Sequence, residues 1–157
     1  MSPNDFSIAL RIRHPSIDPA EVTRRLGIDP QHAWRAGEPR QLDDDDAGSA
    51  VHRETYWVGL LLPPRLGPAP WGPHVEERLR SATENPQVSL YFTLLKMKRS
   101  AGFWREFADQ GGTVECLLQV HQADRFQLDL SQALLLALVE LRITLSIEVE
   151  GALRAAA

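Results

Sequence analysis

The sequence predicts an α+β fold, with a largely antiparallel sheet and helices packed on one of its faces. Near both ends of the chain, apolar residues alternate with polar ones, which is the period of a strand with one solvent-exposed face. Segments with helical spacing lie between these strands in an irregular order, as in α+β proteins. The predicted order is β-α-β-α-α-β-β-α-β. Its two similar ends are compatible with a ferredoxin-like pseudo-repeat, although no internal sequence repeat is visible.

The first strand and the first helix are predicted from clear local signals. Every second residue from Phe6 to Ile12 is apolar, which favours a strand with one solvent-exposed face. The segment SIDPAEVTRRLG then predicts a short helix. Asp18 is a good N-cap and Pro19 suits the first helical position, while Gly27 can end the helix in the left-handed conformation.

The middle of the chain predicts one strand between two loops. Thr55–Leu62 is rich in strand-forming residues, and we expect it to be buried on both faces. Exposed loops are expected over 41–54, which contains four consecutive aspartates, and over 63–73, which contains five prolines.

Helical spacing returns after the proline-rich loop. One helix is predicted over His74–Glu84, and Asn85-Pro86 then marks a break and a new N-terminus. A further short helix over Phe103–Asp109 is expected to stop at Gly111-Gly112. The predicted apolar face of the middle helix consists of Val88, Tyr91, Phe92 and Leu95.

The last third of the chain predicts three strands and one helix. The alternating segments are Val114–Val120, Phe126–Leu130 and Ile143–Val149. Between the last two, Ser131 caps a predicted helix over Gln132–Arg142. The core-facing residues of this helix are predicted to be Leu134, Leu135, Leu138 and Leu141.

Length and composition favour one domain of 157 residues with a core over about 6–150 and a frayed tail at 151–157. The apolar share of 43% and the charged share of 24% are those of ordinary globular proteins. A net charge of −4 argues against non-specific binding of nucleic acid, whose affinity comes mainly from neutralising phosphates.

Localisation is predicted from what the sequence lacks. No signal-peptide pattern follows Met1, and the longest apolar run, Ala133–Val139, is far short of the roughly 20 residues that span a bilayer. The single Cys116 cannot form an internal disulfide, so nothing favours an oxidising compartment. We therefore expect a cytoplasmic protein that does not enter a membrane.

The most distinctive segment of the chain is LGIDPQHAWRAGEPR, Leu26–Arg40. Its pattern Leu-Gly-Ile-x-Pro followed by Trp34-x-x-Gly37, preceded by Asp18-Pro19, resembles a bacterial family known as domain of unknown function 4279. Trp57, the string GGTVECLL and the closing string LSQALLLALVELRITLSIEV fit this family too, so the resemblance extends from Phe6 to about residue 150. The family name carries no activity. The resemblance therefore implies a fold and a bacterial origin, and no mechanism.

Catalytic and metal-binding signatures are missing from the sequence. The five histidines, at 14, 32, 52, 74 and 121, include no pair with the i, i+4 spacing of a helical zinc site. Cys116 lies on the apolar side of its predicted strand, which favours an inert core thiol over a nucleophile. With no nucleophile elbow, phosphate-binding loop or dinucleotide turn either, we predict no catalytic residues, no metal and no cofactor.

The tryptophans have two kinds of predicted role. Trp104 stands at helical spacing from Phe107 and is expected in the core. Trp34 lies in a loop, where a rigid aromatic residue either packs onto the core as a lid or faces a ligand; we favour the lid. In that interpretation Pro30 stiffens the loop and Gly37 supplies a turn with positive φ. Polar groups held on such a loop are where function tends to lie: His32, Arg35, Glu38 and Arg40.

Three classes of function remain open. The first is a non-catalytic protein-interaction module, such as an immunity-type protein that masks the basic site of a toxin. It would use the acidic loop Asp43, Asp44, Asp45 and Asp46 to attract a basic partner protein. The second is a small-molecule-binding domain. Its cleft would be lined by Trp34, Arg35, His52 and Trp57.

The third class is an enzyme of unrecognised type. Its acid and base residues would come from His32, Glu38, His52 and Glu54, although no two of them show a spacing that chemistry demands. The sequence favours the interaction module and leaves the oligomeric state open.

Overall fold

The computed structural model describes residues 6–40, 50–62, 86–121 and 126–150. Nine helices and strands lie within these ranges. In chain order they are β1 (Phe6–His14), α1 (Pro19–Leu26), β2 (His32–Trp34), β3 (Thr55–Leu62), α2 (Pro86–Lys98), α3 (Ala101–Asp109), β4 (Thr113–His121), α4 (Gln132–Glu140) and β5 (Ile143–Glu150).

The five strands form one mixed sheet in the order β2-β3-β1-β4-β5. The central strand β1 pairs antiparallel with β3 on one side and with β4 on the other, and β2 pairs antiparallel with β3. The pair β4–β5 is parallel, since α4 connects the two strands as a crossover. The predicted α+β class with a largely antiparallel sheet is therefore confirmed.

The observed order of elements differs from the predicted one at two places. His32–Trp34 forms the short edge strand β2, where a loop was predicted, because three residues are too few to show a period of two. Phe126–Leu130 is irregular, where a strand was predicted. Both sides of β4 are already occupied by β1 and β5, so the apolar residues Phe126 and Leu128 pack against the core without joining the sheet.

The ferredoxin-like pseudo-repeat is not confirmed. Near the C-terminus, β4 and β5 are parallel neighbours joined by a helix. Near the N-terminus, β1 pairs directly and antiparallel with β3, so the two ends of the chain have different topologies.

One face of the sheet packs against all four described helices. The inward residues of β1 and β4 alternate as predicted and are almost inaccessible to solvent, as are residues from each helix. This core includes Ile8, Leu10, Ile12, Val22, Leu26, Leu90, Leu94, Trp104, Phe107, Cys116, Leu118, Leu134 and Leu138. The prediction of helices on one face is thus confirmed, and the predicted core positions of Trp104 and Cys116 are confirmed with it.

The outer face of the sheet is more polar. Along β1 the outward residues change from buried Ser7 to exposed Arg13, so the predicted solvent-exposed face is present at one end of the strand. On β3, Trp57 is fully buried whereas Tyr56 and Val58 on the opposite face are half-buried, so the strand is not fully buried on both faces.

Helix α2 buries a different face from the one predicted. Leu90, Leu94 and Met97 contact the core, while Tyr91 and Phe92 are 36% and 53% exposed. Since leucine and aromatic residues occupy both sides of this helix, periodicity alone did not identify the buried side. The prediction was also wrong for two other residues that are substantially exposed, Leu95 and Leu135.

Some predictions fall on residues outside the described ranges. They are the helix His74–Glu84, the loop 63–73, the tail 151–157 and most of the loop 41–54, including its four aspartates. Among the residues that are described, no helix has the length and apolar character needed to cross a membrane.

Candidate functional site

The polypeptide between α1 and β3 builds a site at the β2 edge of the sheet. Helix α1 begins at Asp18, whose carboxylate accepts a hydrogen bond from the Ala20 N–H, and it ends at Gly27 with φ +66°. Both predicted caps are confirmed. They fix the exit of the chain from the helix, so that residues 32–34 reach β3 and pair with it as β2.

A tight turn follows β2 and sends the chain back along itself. The Glu38 N–H donates to the Arg35 carbonyl, and Gly37 adopts φ +86° as the turn requires, which confirms the role predicted for this glycine. Backbone hydrogen bonds of 2.8–2.9 Å then join Gly37 and Glu38 to His52, and Arg40 to Ala50. Arg40 and Ala50 are thereby held next to each other.

Thr55 anchors this turn to the body of the protein. Its hydroxyl donates to the Ile17 carbonyl at 2.6 Å and accepts from the Ala36 N–H at 3.1 Å. Thr55 is 1% exposed, so both bonds are shielded from water. The turn after β2 is consequently fixed relative to α1.

Three aromatic rings stack at the centre of the site. The Trp34 ring lies between His52 and Tyr56, with centroid distances of 4.5 Å on each side and interplanar angles of 18° and 19°. The Arg13 guanidinium extends the stack over Tyr56, at 5.7 Å from the ring centroid.

Trp34 belongs to the outer face of the sheet and not to the core. It is paired with Tyr56 in the sheet register, and Tyr56 points away from the helix-covered face on which Trp57 is buried. Trp34 is half-buried. The expectation that Trp34 packs onto the core as a lid is therefore wrong; its ring is a partly exposed plate.

An open cleft lies beside this stack, with a volume of about 560 Å³. A second hollow of about 480 Å³ adjoins it and shares Trp34, Arg40 and His52 with it. We call the two together the Trp34 cleft. Its lining consists of Pro15, His32, Ala33, Trp34, Glu38, Pro39, Arg40, His52, Arg53 and Glu54.

The structure brings only part of the predicted site together. Trp34 and His52 both line the cleft. Arg35 is exposed, and its guanidinium lies 3.7 Å from the Asp18 carboxylate at the start of α1. Trp57 does not belong to the site, because it is 0% exposed in the core and its indole N–H donates to the Thr23 hydroxyl at 3.0 Å.

The remaining predicted residues, Asp43, Asp44, Asp45 and Asp46, lie outside the described residues. Sequence reasoning missed Tyr56, Arg13 and Arg53. Tyr56 had a detectable signal, since a residue adjacent to a core tryptophan in a strand faces the opposite side of the sheet.

The acid and base residues considered for an enzyme do cluster around the cleft. His32, Glu38 and His52 line the larger hollow, and Glu54 lines the adjoining one. Both carboxylates of this group already have partners. Glu38 accepts a hydrogen bond from the Arg35 N–H at 3.0 Å, and the Glu54 carboxylate lies 3.8 Å from the Arg13 guanidinium. In the described part of the chain, no three metal-ligating side chains come close enough to hold an ion.

Cys116 lies in the hydrophobic core and does not line the Trp34 cleft. It is 0% exposed on the inner face of β4, and burial raises the pKa of its thiol from 9.0 to about 12, with a smaller contribution from the Glu115 carboxylate. The thiol therefore stays protonated near neutral pH and is not a nucleophile.

Comparison with known proteins supports the resemblance drawn from the sequence. A family model described as domain of unknown function (DUF4279) matches residues 4–151. No curated protein and no solved structure matches the chain. Because the match covers nearly the whole sequence, including α1, the β2 turn and every strand of the sheet, the chain belongs to the DUF4279 family.

Proposed function

We propose that the protein is a non-catalytic protein-interaction module of the immunity type, which binds its partner through the Trp34 cleft. We assign it to the cytoplasm of a bacterium, an assignment supported by the family resemblance and by a single cysteine that cannot form an internal disulfide. The partner is a protein with a basic surface, attracted by the four aspartates at 43–46.

The observation that carries this proposal is the partly exposed aromatic stack bordered by arginines. Tryptophan, tyrosine and arginine are the residues most enriched where protein interfaces concentrate their binding energy. Here Trp34 and Tyr56 are already stacked, with Arg13 over Tyr56 and Arg40 beside Trp34. Because the rings are ordered before any partner binds, little conformational entropy is lost on association.

The lining of the cleft favours a protein over a small apolar molecule. Small-molecule sites are mostly apolar and enclose the greater part of their ligand. In the larger hollow of this cleft, four of the seven lining residues carry ionisable side chains: His32, Glu38, Arg40 and His52. Such a surface suits the charged and aromatic side chains of a protein partner.

A small-molecule-binding domain is the second candidate. A volume of about 560 Å³ falls within the range of ligand sites, roughly 300–1,000 Å³. An enzyme using His32, Glu38 and His52 would need the same cleft. Both alternatives predict that a low-molecular-weight compound protects the protein against thermal unfolding.

The cleft is tested with the purified product of the gene adjacent to the one encoding this chain. We expect Trp34→Ala to weaken binding of that protein by at least about thirtyfold, the size of a hot-spot effect, in isothermal titration calorimetry. Phe92→Ala is the matched control, because Phe92 is an exposed aromatic residue on α2, away from the cleft. Equal affinities for the two variants, or no binding by the wild type, would contradict the proposal.

The acidic loop is tested by its effect on association. Replacing Asp43–Asp46 with asparagine should slow capture of the basic partner by about tenfold at low salt, with little change in the dissociation rate, because exposed charges act mainly on the encounter. The difference should shrink in 1 M salt, where the Debye length falls to about 3 Å. Stopped-flow or biosensor kinetics measure both rates. Unchanged association at low salt would remove the loop from the recognition surface.

A further inference from the structure

We propose that a second copy of this chain pairs with strand β5, antiparallel and centred on Ile147, to form a homodimer with a continuous ten-stranded sheet. This inference is independent of the proposed function, because β5 and the Trp34 cleft lie at opposite edges of the sheet.

Strand β5 is a long edge of the sheet that no other described strand covers. It pairs with β4 in unbroken register over eight residues, from Ile143 to Glu150, and among the described strands nothing pairs with its other side. Proteins usually protect such edges with proline, lysine, a bulge or a covering segment. The sequence of β5, ITLSIEVE, contains no proline, glycine or lysine, and its pairing with β4 shows no bulge.

The side chains of β5 complement those of a second β5 in one register. With Ile147 opposite its own copy, Leu145 lies opposite Val149 on the helix-covered side of the sheet, so apolar residues meet apolar residues. On the other side, Ser146 lies opposite Glu148 and Thr144 opposite Glu150, so each carboxylate meets a hydroxyl. The pairing uses seven residues of each strand.

Other registers are poorer in charge pairing or in the length of strand that they use. Centring the pair on Val149 places Glu148 opposite Glu150 twice, and like charges directly opposite each other destabilise a ladder. Centring it on Leu145 leaves the pairing with only the five residues from Ile143 to Ile147 inside the strand. Centring it on Ser146 also pairs seven residues, from Ile143 to Val149, but leaves Glu150 outside the paired part of the strand. The register centred on Ile147 is therefore the one that places a hydroxyl opposite both carboxylates of β5.

Helix α4 provides an independent reason for a second copy at this edge. Its buried side faces β5 and α2, yet its outward side is apolar too, with Leu135, Leu136 and Val139 exposed by 44%, 56% and 73%. A helix that is apolar all round is normally covered on all sides. Because α4 packs over the edge strand, the same two-fold contact that pairs the β5 strands brings the α4 helices of the two copies together.

The surface available is sufficient for a stable contact. Together with Ile147 and Val149, which are 42% and 53% exposed, the outward side of α4 offers on the order of 500 Å² of apolar surface per copy. A stable interface buries about 800 Å² per partner, and the backbone and polar atoms of the strand ladder supply the remainder.

The full-length chain at micromolar concentration, followed by sedimentation velocity, tests the dimer. We expect a dimer for the wild type and a dissociation constant at least about tenfold higher for Ile147→Lys, which places two lysines opposite each other at the two-fold axis. Circular dichroism confirms that the variant is folded. Phe92→Lys is the control, since Phe92 is as exposed but lies on α2. A monomeric wild type, or a dimer weakened by Phe92→Lys and not by Ile147→Lys, overturns the proposal.

A pair of substitutions at one exposed position tests whether Thr144 faces a carboxylate of the second copy, as it does in the register centred on Ile147. Thr144→Lys should tighten the dimer by placing an ammonium group opposite Glu150 of the second copy, and Thr144→Glu should weaken it, each by about threefold to tenfold at low salt. At high salt the dissociation constants of the two variants should become similar, because salt screens the charges. If both variants change the dissociation constant in the same direction, the register centred on Ile147 is wrong.

Discussion

Replacing Trp57 with alanine is expected to lower the free energy of unfolding by about 3–5 kcal/mol. The indole is 0% exposed, and its N–H donates to the Thr23 hydroxyl on α1 at 3.0 Å. Gly59 packs so closely that a Cβ there would lie 2.5 Å from Cη2 of Trp57. With neighbours this tight on one side and a helix on the other, the cavity left by the substitution cannot collapse without moving β3 or α1.

Chemical denaturation followed by circular dichroism measures this loss. Trp34→Ala is the matched control: it removes the same side chain from a half-buried stack and should cost only about 1–2 kcal/mol. The loss of unfolding free energy for Trp57→Phe should lie between those of the two alanine variants. Phenylalanine keeps most of the ring volume but cannot make the hydrogen bond to Thr23. Equal losses for the two alanine variants would mean that Trp57 is not in the core.

The second large effect concerns the reactivity of Cys116. Labelling by a thiol reagent at pH 8 should be at least about a thousandfold slower in the native protein than in denaturant, because the reagent must wait for an opening of the core. Native labelling at the rate of a free thiol would contradict the position of Cys116 on the inner face of β4.

The raised pKa of Cys116 has a consequence for stability at alkaline pH. In the unfolded chain the thiol ionises near pH 9, whereas in the folded protein its pKa is about 12. A group whose folded pKa is raised stabilises the fold below its unfolded pKa, and that stabilisation is lost as pH rises through the folded value. The free energy of unfolding of the wild type should therefore fall between about pH 9 and 12 more steeply than that of Cys116→Ala. Parallel slopes for the two proteins would show that the thiol ionises equally easily in both states.

Elements with both a strong period and a local stop signal were predictable from the sequence. Helix α1 has an aspartate cap and a terminal glycine, and α4 has Ser131, whose hydroxyl accepts from the Leu134 N–H. Strands β1 and β4 each alternate over seven of their nine residues, Phe6–Ile12 and Val114–Val120. In these segments local propensity and tertiary packing favour the same structure, so pattern alone was enough.

The predictions were wrong where the local sequence is compatible with two structures and tertiary contacts determine which one forms. Helix α2 is apolar on two sides, and only its contacts with the sheet determine that Leu90 and Leu94 face inward. The alternating segment Phe126–Leu130 follows β4, whose two sides are already paired with β1 and β5, so it packs against the core without joining the sheet. Strand β2 exists because β3 offers an edge, and a segment of three residues carries too little pattern to show it.

The candidate site was partly predictable for similar reasons. The rigid segment around Trp34 and the turn at Gly37 were visible as local signals. His52 and Tyr56 join Trp34 through pairing between segments that are distant in sequence, which a single sequence does not reveal. Trp57 was assigned to the site although its strand was expected to be buried on both faces. The side of the sheet that it occupies depends on register, since a shift of one residue exchanges the two faces.

The central position of β1 also determines when the protein can fold. The first strand of the chain pairs with β4 through contacts such as Phe6 with Val120, more than 100 residues later in the sequence. At a synthesis rate of roughly 5–20 residues per second, several seconds pass between the synthesis of β1 and that of β4, with which it pairs. Long-range pairing of this kind also slows folding, because the loop must close before the contact stabilises it. The nascent chain therefore leaves Ile8, Leu10 and Ile12 without their full packing until β4 has been synthesised.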